Sequence, residues 1–293
     1  MNPIHQSVMP AEVVAGLDPL PGQVVVDCTT GVGGHAELLA RRVAPDGRVI
    51  ALDQDPAMLE HSRTRLAGLP VHLVHANFED LPDVLQKLQI DAVDAVLADL
   101  GFCSDQLANS ERGLSFQHDG PLDMRLDPTR GEPASALVRR LQERELADIF
   151  WRFGEERHSR RIAKKIVETR TKSPILTTGQ FADLVRSCVP RSKGMSIDPA
   201  TRSFQGLRIA VNDELGALER FLTCVPSCMK PGGRIAVISF HSLEDRLVKR
   251  AFRQADVFRE ITRKPMLPSE DEVGRNPRAR SAKLRVASRT LEI

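Results

Sequence analysis

The 293-residue chain has no tyrosine, a single tryptophan and only 4% aromatic residues, so an aliphatic core is expected. No apolar run approaches the roughly 18 residues that a membrane helix needs. The opening MNPIHQSVMP has no basic-then-apolar leader. Neither insertion nor secretion is expected, and the reading is a cytoplasmic protein with no membrane partner. The five cysteines (28, 103, 188, 224 and 228) form no Cys-x-x-Cys pair and no spaced Cys/His quartet. That pattern argues against structural zinc and a disulfide framework and fits a reducing compartment. His72 and His75 stand three apart in a strand-like run, where side chains point to opposite faces and do not share an ion. No metal site is expected. Cys224 and Cys228, at helical spacing, read as one buried helix face.

What is present is an ordinary globular balance of 41% hydrophobic and 27% charged residues, enough for one large domain or two modest ones. The net charge of +2 hides a segregation. Residues 157–172 hold seven Lys/Arg and one acid, and residues 246–289 hold thirteen and five, which leaves −12 for the rest. Two basic segments on an acidic chain point to a polyanion partner, with a solvated face as the alternative.

From residue 23 to 99 short apolar runs alternate with helical patterns: strands at 23–27, 48–53, 71–75 and 92–99, helices at 35–43, 56–66 and 81–88. This rhythm predicts right-handed βαβ units and a parallel sheet. Residues 101–131, rich in Gly, Asp, Ser and Pro, read as an ordered loop. Helical patterning then runs from 133 to about 189. Arg157, Arg160, Arg161, Lys164 and Lys165 recur on one helical face, and Ile162, Ala163, Ile166 and Val167 on the other. Strand character returns at 234–240 and 282–288, with a helix over 243–254. The simplest architecture is one α/β domain made from both ends of the chain, with a helical domain inserted after the fourth strand.

Between the first strand and helix lies Asp27-Cys-Thr-Thr-Gly31-Val-Gly33-Gly34-His35-Ala36. Glycines let the backbone turn sharply and approach a ligand, and the helix start offers free N–H groups. Asp53 ends the second strand, where a carboxylate can accept both hydroxyls of an adenosine ribose. Gly31-x-Gly33-x-x-Ala36 fits a loose dinucleotide fingerprint. Asp27 favours S-adenosylmethionine instead, because a carboxylate there would repel a pyrophosphate. A tight turn without a ligand is the third reading. Asp99-Leu-Gly-Phe-Cys-Ser104 leaves the fourth strand at the edge that lines the ligand crevice of a doubly wound sheet. An acid, a glycine and an aromatic there loosely resemble the acid-Pro-Pro-aromatic loop of amino-methyltransferases. The alternative for Asp99 is a helix or turn cap.

Further blocks are more specific. They are His5-Gln-Ser-Val, Gly33-Gly-His35, Asp105-Gln-Leu, Glu111-Arg-Gly-Leu-Ser-Phe116 and Asp119-Gly-Pro-Leu-Asp-Met-Arg125. Leu207-Arg-Ile with Val211-Asn-x-Glu-Leu215, Ile238-Ser-Phe-His-Ser-Leu-Glu-Asp245 and Asn276-Pro-Arg-x-Arg-Ser-Ala-Lys-Leu-Arg285 complete the set. Together they resemble the small-subunit ribosomal RNA cytosine-N4 methyltransferase family (RsmH, also called MraW). The resemblance implies a class I methyltransferase fold, Rossmann-like and doubly wound, with an inserted all-helical domain. Residues 1–107 and 205–293 are expected to form the methyltransferase domain and 108–204 an insert that recognises RNA. The implied activity is methylation, with S-adenosylmethionine, of the N4 amine of a decoding-centre cytosine in bacterial 16S rRNA. The implied partner is 16S rRNA in the small subunit or its precursor, and the chain itself is a monomer or homodimer. Carried over by motif, Gly33, Gly34 and His35 contact the methionine end of the donor, Asp53 takes the ribose, Phe78 lies against the adenine, and Asp99 and Gln106 complete the set. Asp99 is extended to the target amine as a catalytic residue.

The chain departs from the family pattern at Gly101-Phe102-Cys103-Ser104 (usually Gly-Val-Ser-Ser), at Asp105 (usually Pro) and at Gly206 (usually Ala). Phe102 is read as core filling or as a stacking surface for the extruded cytosine. His241 and Ser242 shape the pocket, or Ser242 caps the next helix. Asp123 and Arg125 form an internal ion pair or contact RNA. The competing functions are an amino-methyltransferase of DNA or another RNA, and a non-catalytic ribosome-assembly factor.

Overall fold

A computed structural model describes residues 6–190 and 197–291, and His5 of the opening block lies outside them. In chain order the elements are α1 (Pro10–Leu17), β1 (Val24–Asp27), α2 (Gly34–Val43), β2 (Arg48–Asp53), α3 (Pro56–Arg65), β3 (Val71–His75), α4 (Leu81–Lys87) and β4 (Val93–Asp99). Then come α5 (Ser104–Ala108), α6 (Ala134–Arg140), α7 (Glu143–Arg152), α8 (Ser159–Arg170), α9 (Thr178–Cys188), α10 (Ala200–Asn212) and α11 (Glu214–Cys228). The chain closes with β5 (Met229–Ser239), α12 (Ser242–Phe252), β6 (Phe258–Glu260), α13 (Glu270–Arg275) and β7 (Lys283–Arg289). Two units emerge, one from the chain up to Cys103 together with Leu215 onward, the other Ser104–Glu214. The sequence reading set those borders at 107/108 and 204/205.

The first unit is a seven-stranded sheet of order β3-β2-β1-β4-β5-β7-β6. The first five strands run parallel, and β7 inserts antiparallel between β5 and β6. The order reverses between β1 and β4, so their C-terminal ends open the crevice where doubly wound sheets bind ligands. The expected class I, Rossmann-like doubly wound sheet is the one observed. Strand alternation assigns the core to two layers. Val26, Ile50, Leu52, Val96, Ala98 and Val237 face one apolar cluster, which Phe221 and Phe252 close. Val25, Val49, Ala51, Leu97, Ala236 and Ile238 face the other, and α2 presses Ala36, Leu39, Ala40 and Val43 onto it. Those four recur at i, i+3, i+4 and i+7, one face of a helix.

The core is carried mainly by aliphatic side chains, as expected, and the second unit adds a chain of phenylalanine rings. Phe150 and Phe181 pack with ring centroids 6.1 Å apart, Phe181 and Phe204 at 6.2 Å, and Phe204 and Phe116 at 5.0 Å. These rings pack among short helices that have no sheet to cover. Residues 101–131 are not all loop, since α5 and a short turn at Ser110–Arg112 fall inside. Arg157 precedes α8, and Arg160, Arg161, Lys164 and Lys165 lie on its exposed face, while Ile162, Ala163 and Ile166 are buried. At Gly206 a Cβ would stand 2.9 Å from Gly154 N. The glycine that departs from the family pattern thus lets α10 close on the end of α7.

Candidate functional site

The tip of β1 sets the site. Asp27 is fully buried, and Oδ1 accepts from the Thr29 amide at 3.2 Å, while Oδ2 has no hydrogen-bond partner among the described residues. Burial pushes its carboxyl up to about 6 against the favourable charge of His35. Next in the chain, Gly31 and Gly33 take φ of +53° and +87°, left-handed conformations that glycine adopts at no steric cost. Gly33 is the N-cap of α2. Gly34 permits a close approach, because a Cβ there would fall 2.0 Å from Ser7 Oγ of the opening block. The other chain end fastens the same block: Asn276 Nδ2 donates to Gln6 O at 3.1 Å, and Met9 N donates to Glu272 Oε1 at 2.6 Å. The motifs at the two termini therefore brace the glycine turn.

His35, 5% exposed, lies with Nε2 3.5 Å from Asp99 Oδ2 at the end of β4. Its pKa is raised: burial opposes the charge, but Asp99 and Asp27 outweigh it. The Asp99 amide donates to Thr29 Oγ1 at 2.7 Å, which ties β4 to the turn. Asp99 Oδ1 is buried and has no hydrogen-bond partner among the described residues. Asp27, His35 and Asp99 thus form one polar cluster in which two carboxylate oxygens lack a donor. Such groups are costly to leave alone, and they mark a place built for a ligand with cationic or N–H groups.

Asp53 lies one strand over. Its Oδ2 accepts from Gly31 N at 2.7 Å and its Oδ1 from Asp55 N at 2.8 Å. Burial raises its carboxyl to about 7. Each oxygen keeps a second lone pair, so the carboxylate is aimed and still able to accept a pair of hydroxyls. Past β3, Phe78 is half-buried and meets Phe221 edge-on at 5.3 Å, offering an aromatic surface near the strand ends. The structure therefore brings Gly33, Gly34, His35, Asp53, Phe78 and Asp99 to the C-terminal ends of β1, β2, β3 and β4. Gln106 is buried on α5 of the other unit.

The residue that the sequence reading left out of the site set is Asp27. In the sequence it serves only to choose between cofactors, because its burial beside His35 is not visible in a linear pattern. Among the other candidates, His241 and not Ser242 caps α12. Its ring accepts from Glu244 N, and Glu244 Oε2 returns to His241 N at 3.2 Å and to Phe240 N at 2.8 Å. Asp123 and Arg125 form the internal pair, with two bonds of 2.8 Å. Phe102 is half-buried, and Cys103 Sγ, buried, donates to Met58 Sδ at 3.1 Å. His72 and His75 are exposed, Cys228 is buried and Cys224 half-buried. No described helix is long and apolar enough to cross a membrane.

Comparison with known proteins places the chain in a family. The MraW methylase family matches residues 2–290. The ribosomal RNA small subunit methyltransferase H of Synechococcus elongatus is 49% identical over 290 residues, covering 98% of this chain and 95% of that protein. The protein of the same name from Rhodopirellula baltica is 47% identical over 296 residues (97% and 91%), and that from Desulfosudis oleivorans 46% over 307 (97% and 98%). With a methyltransferase-type sheet, a polar cluster at its switch point and a family match over nearly its whole length, the chain belongs to the MraW methylase family and is a methyltransferase.

Proposed function

We propose that the chain transfers a methyl group from S-adenosylmethionine to the N4 exocyclic amine of a decoding-centre cytosine in bacterial 16S rRNA. The observation that carries the donor reading is the Asp27–His35–Asp99 cluster, whose unpartnered carboxylate oxygens suit a ligand bearing an ammonium and a sulfonium and would repel a diphosphate. The residues present fit the donor. Gly33, Gly34 and His35 hold its methionine end, Asp53 its ribose hydroxyls and Phe78 its adenine, with Asp99 and Gln106 completing the contacts. The donor supplies an already activated methyl group.

The protein's part is positioning and desolvation. Asp99 accepts an N–H of the target amine, whose lone pair is otherwise delocalised into the ring, and aims the nitrogen in line with the methyl carbon. The N–C bond forms as the C–S bond breaks. Sulfur keeps the electron pair, and the nitrogen loses a proton to solvent. A base inside folded RNA is out of reach, so the cytosine is extruded first.

The Ser104–Glu214 unit serves as the RNA-recognition module. The exposed row Arg157, Arg160, Arg161, Lys164 and Lys165 supports this, as does Trp151, 59% exposed. Trp151, Arg157, Arg160 and Arg161 line one hollow of about 660 Å³. An exposed indole among guanidinium groups suits phosphate contacts beside an unstacked base. Methyl-labelled donor offered to immature small subunits, free rRNA and DNA tests the reading. Label is expected in 16S rRNA as N4-methylcytidine. Label in DNA or another nucleoside favours a different amino-methyltransferase, and donor binding without transfer favours an assembly factor.

A further inference from the structure

We propose that the methyltransferase unit has an RNA contact of its own, a basic face of α12 and β6 that grips the phosphate backbone of a helical segment of the substrate rRNA, away from the extruded cytosine. The inference rests on the rRNA reading above and adds a second site to it. The donor site makes no use of the second basic segment. Over residues 246–264 seven Lys/Arg stand against two acids. Arg246, Lys249 and Arg250 in α12 and Arg253 at its C-cap recur at i, i+3, i+4 and i+7, one face of a helix, while Val248 and Phe252 are buried on the other. Cations in a last turn suit the helix dipole. That does not account for Arg259, which comes from the edge strand β6 and opens onto the same hollow as Arg250. Both are exposed, and neither guanidinium has an ion-pair or hydrogen-bond partner among the described residues.

The hollow measures about 1490 Å³ and lies between α11, α12 and the β6–β7 edge. Arg250, Arg259 and Arg289 line it, and they outnumber the acids there, Glu219 and Asp256. Arg289 is anchored by donating to Met229 O. Ser288 adds a hydroxyl. None of the described residues that line the hollow is aromatic, so it offers no platform for an unpaired base. Guanidinium forks and a hydroxyl without such a platform suit phosphate and ribose, the contacts that position RNA without reading its sequence. The place is separate from the donor crevice. Ser288 pairs with Arg234 near the start of β5, whereas Asp99 pairs with Ile238 near its end. The two sites are therefore at least four residues apart along the sheet, roughly 13 Å. An rRNA whose cytosine occupies the crevice is already tethered, so a second grip on the same unit meets it at high effective concentration. The pair of contacts favours folded rRNA over an isolated target strand.

The test compares the full chain with its Arg250→Gln/Arg259→Gln double variant. Binding to protein-free 16S rRNA is measured over a range of salt concentrations, and methylation kinetics on immature small subunits. The variant should lose about one unit of salt slope for each of the two phosphate contacts, and its affinity for the rRNA should fall by about tenfold at moderate salt. KM for the subunits should rise by a similar factor with kcat little changed, and affinity for S-adenosylmethionine should match wild type. A wild-type slope together with a wild-type KM overturns the proposal. A raised KM for subunits with wild-type binding to the protein-free rRNA also overturns it, in favour of an acidic protein partner. If the double variant loses donor affinity as well, Arg259→Gln alone decides, and an unchanged slope overturns the proposal. Failure of the wild type to bind 16S rRNA at all instead overturns the rRNA reading on which the proposal rests.

Discussion

Replacing Asp27 by Asn should make the unliganded protein more stable at neutral pH, even as it harms the donor site. The carboxyl is held up to about 6 in the fold against an ordinary value of 3.8. Folding therefore takes up a proton between these limits. As far as this group goes, stability is greatest below about pH 4, declines as pH rises towards 6, and is flat above. At about 1.36 kcal/mol for each unit of difference, the ionised form costs the fold about 3 kcal/mol, an upper bound, since the Asp27 charge also supports that of His35. Asn keeps an oxygen for Thr29 N and carries no charge. Urea unfolding of unliganded wild type and Asp27→Asn, followed by circular dichroism from pH 5 to 8, measures the difference. The variant should be more stable at pH 8 by 1 to about 3 kcal/mol, and its advantage should shrink as pH falls towards 5. A variant less stable than wild type at pH 8, with the same pH dependence, would refute the claim that this carboxylate is buried at a cost for the sake of a ligand.

Other consequences follow from the same contacts. Gly34→Ala drives a methyl group into Ser7 Oγ and should displace the turn and weaken donor binding; pairing it with Ser7→Ala should recover part of the loss, as measured by calorimetry. Asp53→Asn removes a charged acceptor of two hydroxyls and leaves two backbone N–H groups to a weaker partner; donor affinity should fall by about 2–3 kcal/mol, with little change in a fragment that lacks the ribose. Asn212→Ala breaks bonds of 2.7 Å to Leu126 N and 2.8 Å to Met124 O, which hold Met124 at φ +66°. It should lower stability by roughly 2–4 kcal/mol and abolish RNA methylation while sparing donor affinity. The triple alanine at Arg157, Arg161 and Lys165 should weaken RNA binding and reduce its salt dependence by about one unit of slope for each lost phosphate contact. A variant with wild-type slope would remove this face from the RNA surface.

Much of the architecture was legible because periodicity is a direct consequence of burial. The runs at 48–53 and 71–75 match β2 and β3 to the residue, since every second side chain faces one apolar layer. Strand β6 was missed, as three residues at a sheet edge leave no pattern to read. Helices α10 and α11 went undescribed, one beginning after Pro199 and the other holding Pro226, a residue that masks helical periodicity. At the site, the glycines and Asp53 were found because turn geometry and strand ends restrict residue type. Asp27 was underweighted because its significance lies in what surrounds it, namely a histidine eight positions later and an acid from another strand. Residue preference alone favours Ser242 as the cap, but His241 has the extended backbone and Glu244 the reach.

The crystal structure of the chain with S-adenosylhomocysteine is the most direct measurement. The account predicts the homocysteine end against Gly33–His35 with its ammonium near Asp27 and Asp99, and both ribose hydroxyls on Asp53. Density for the ligand at any other place, or a ribose turned away from Asp53, would contradict it.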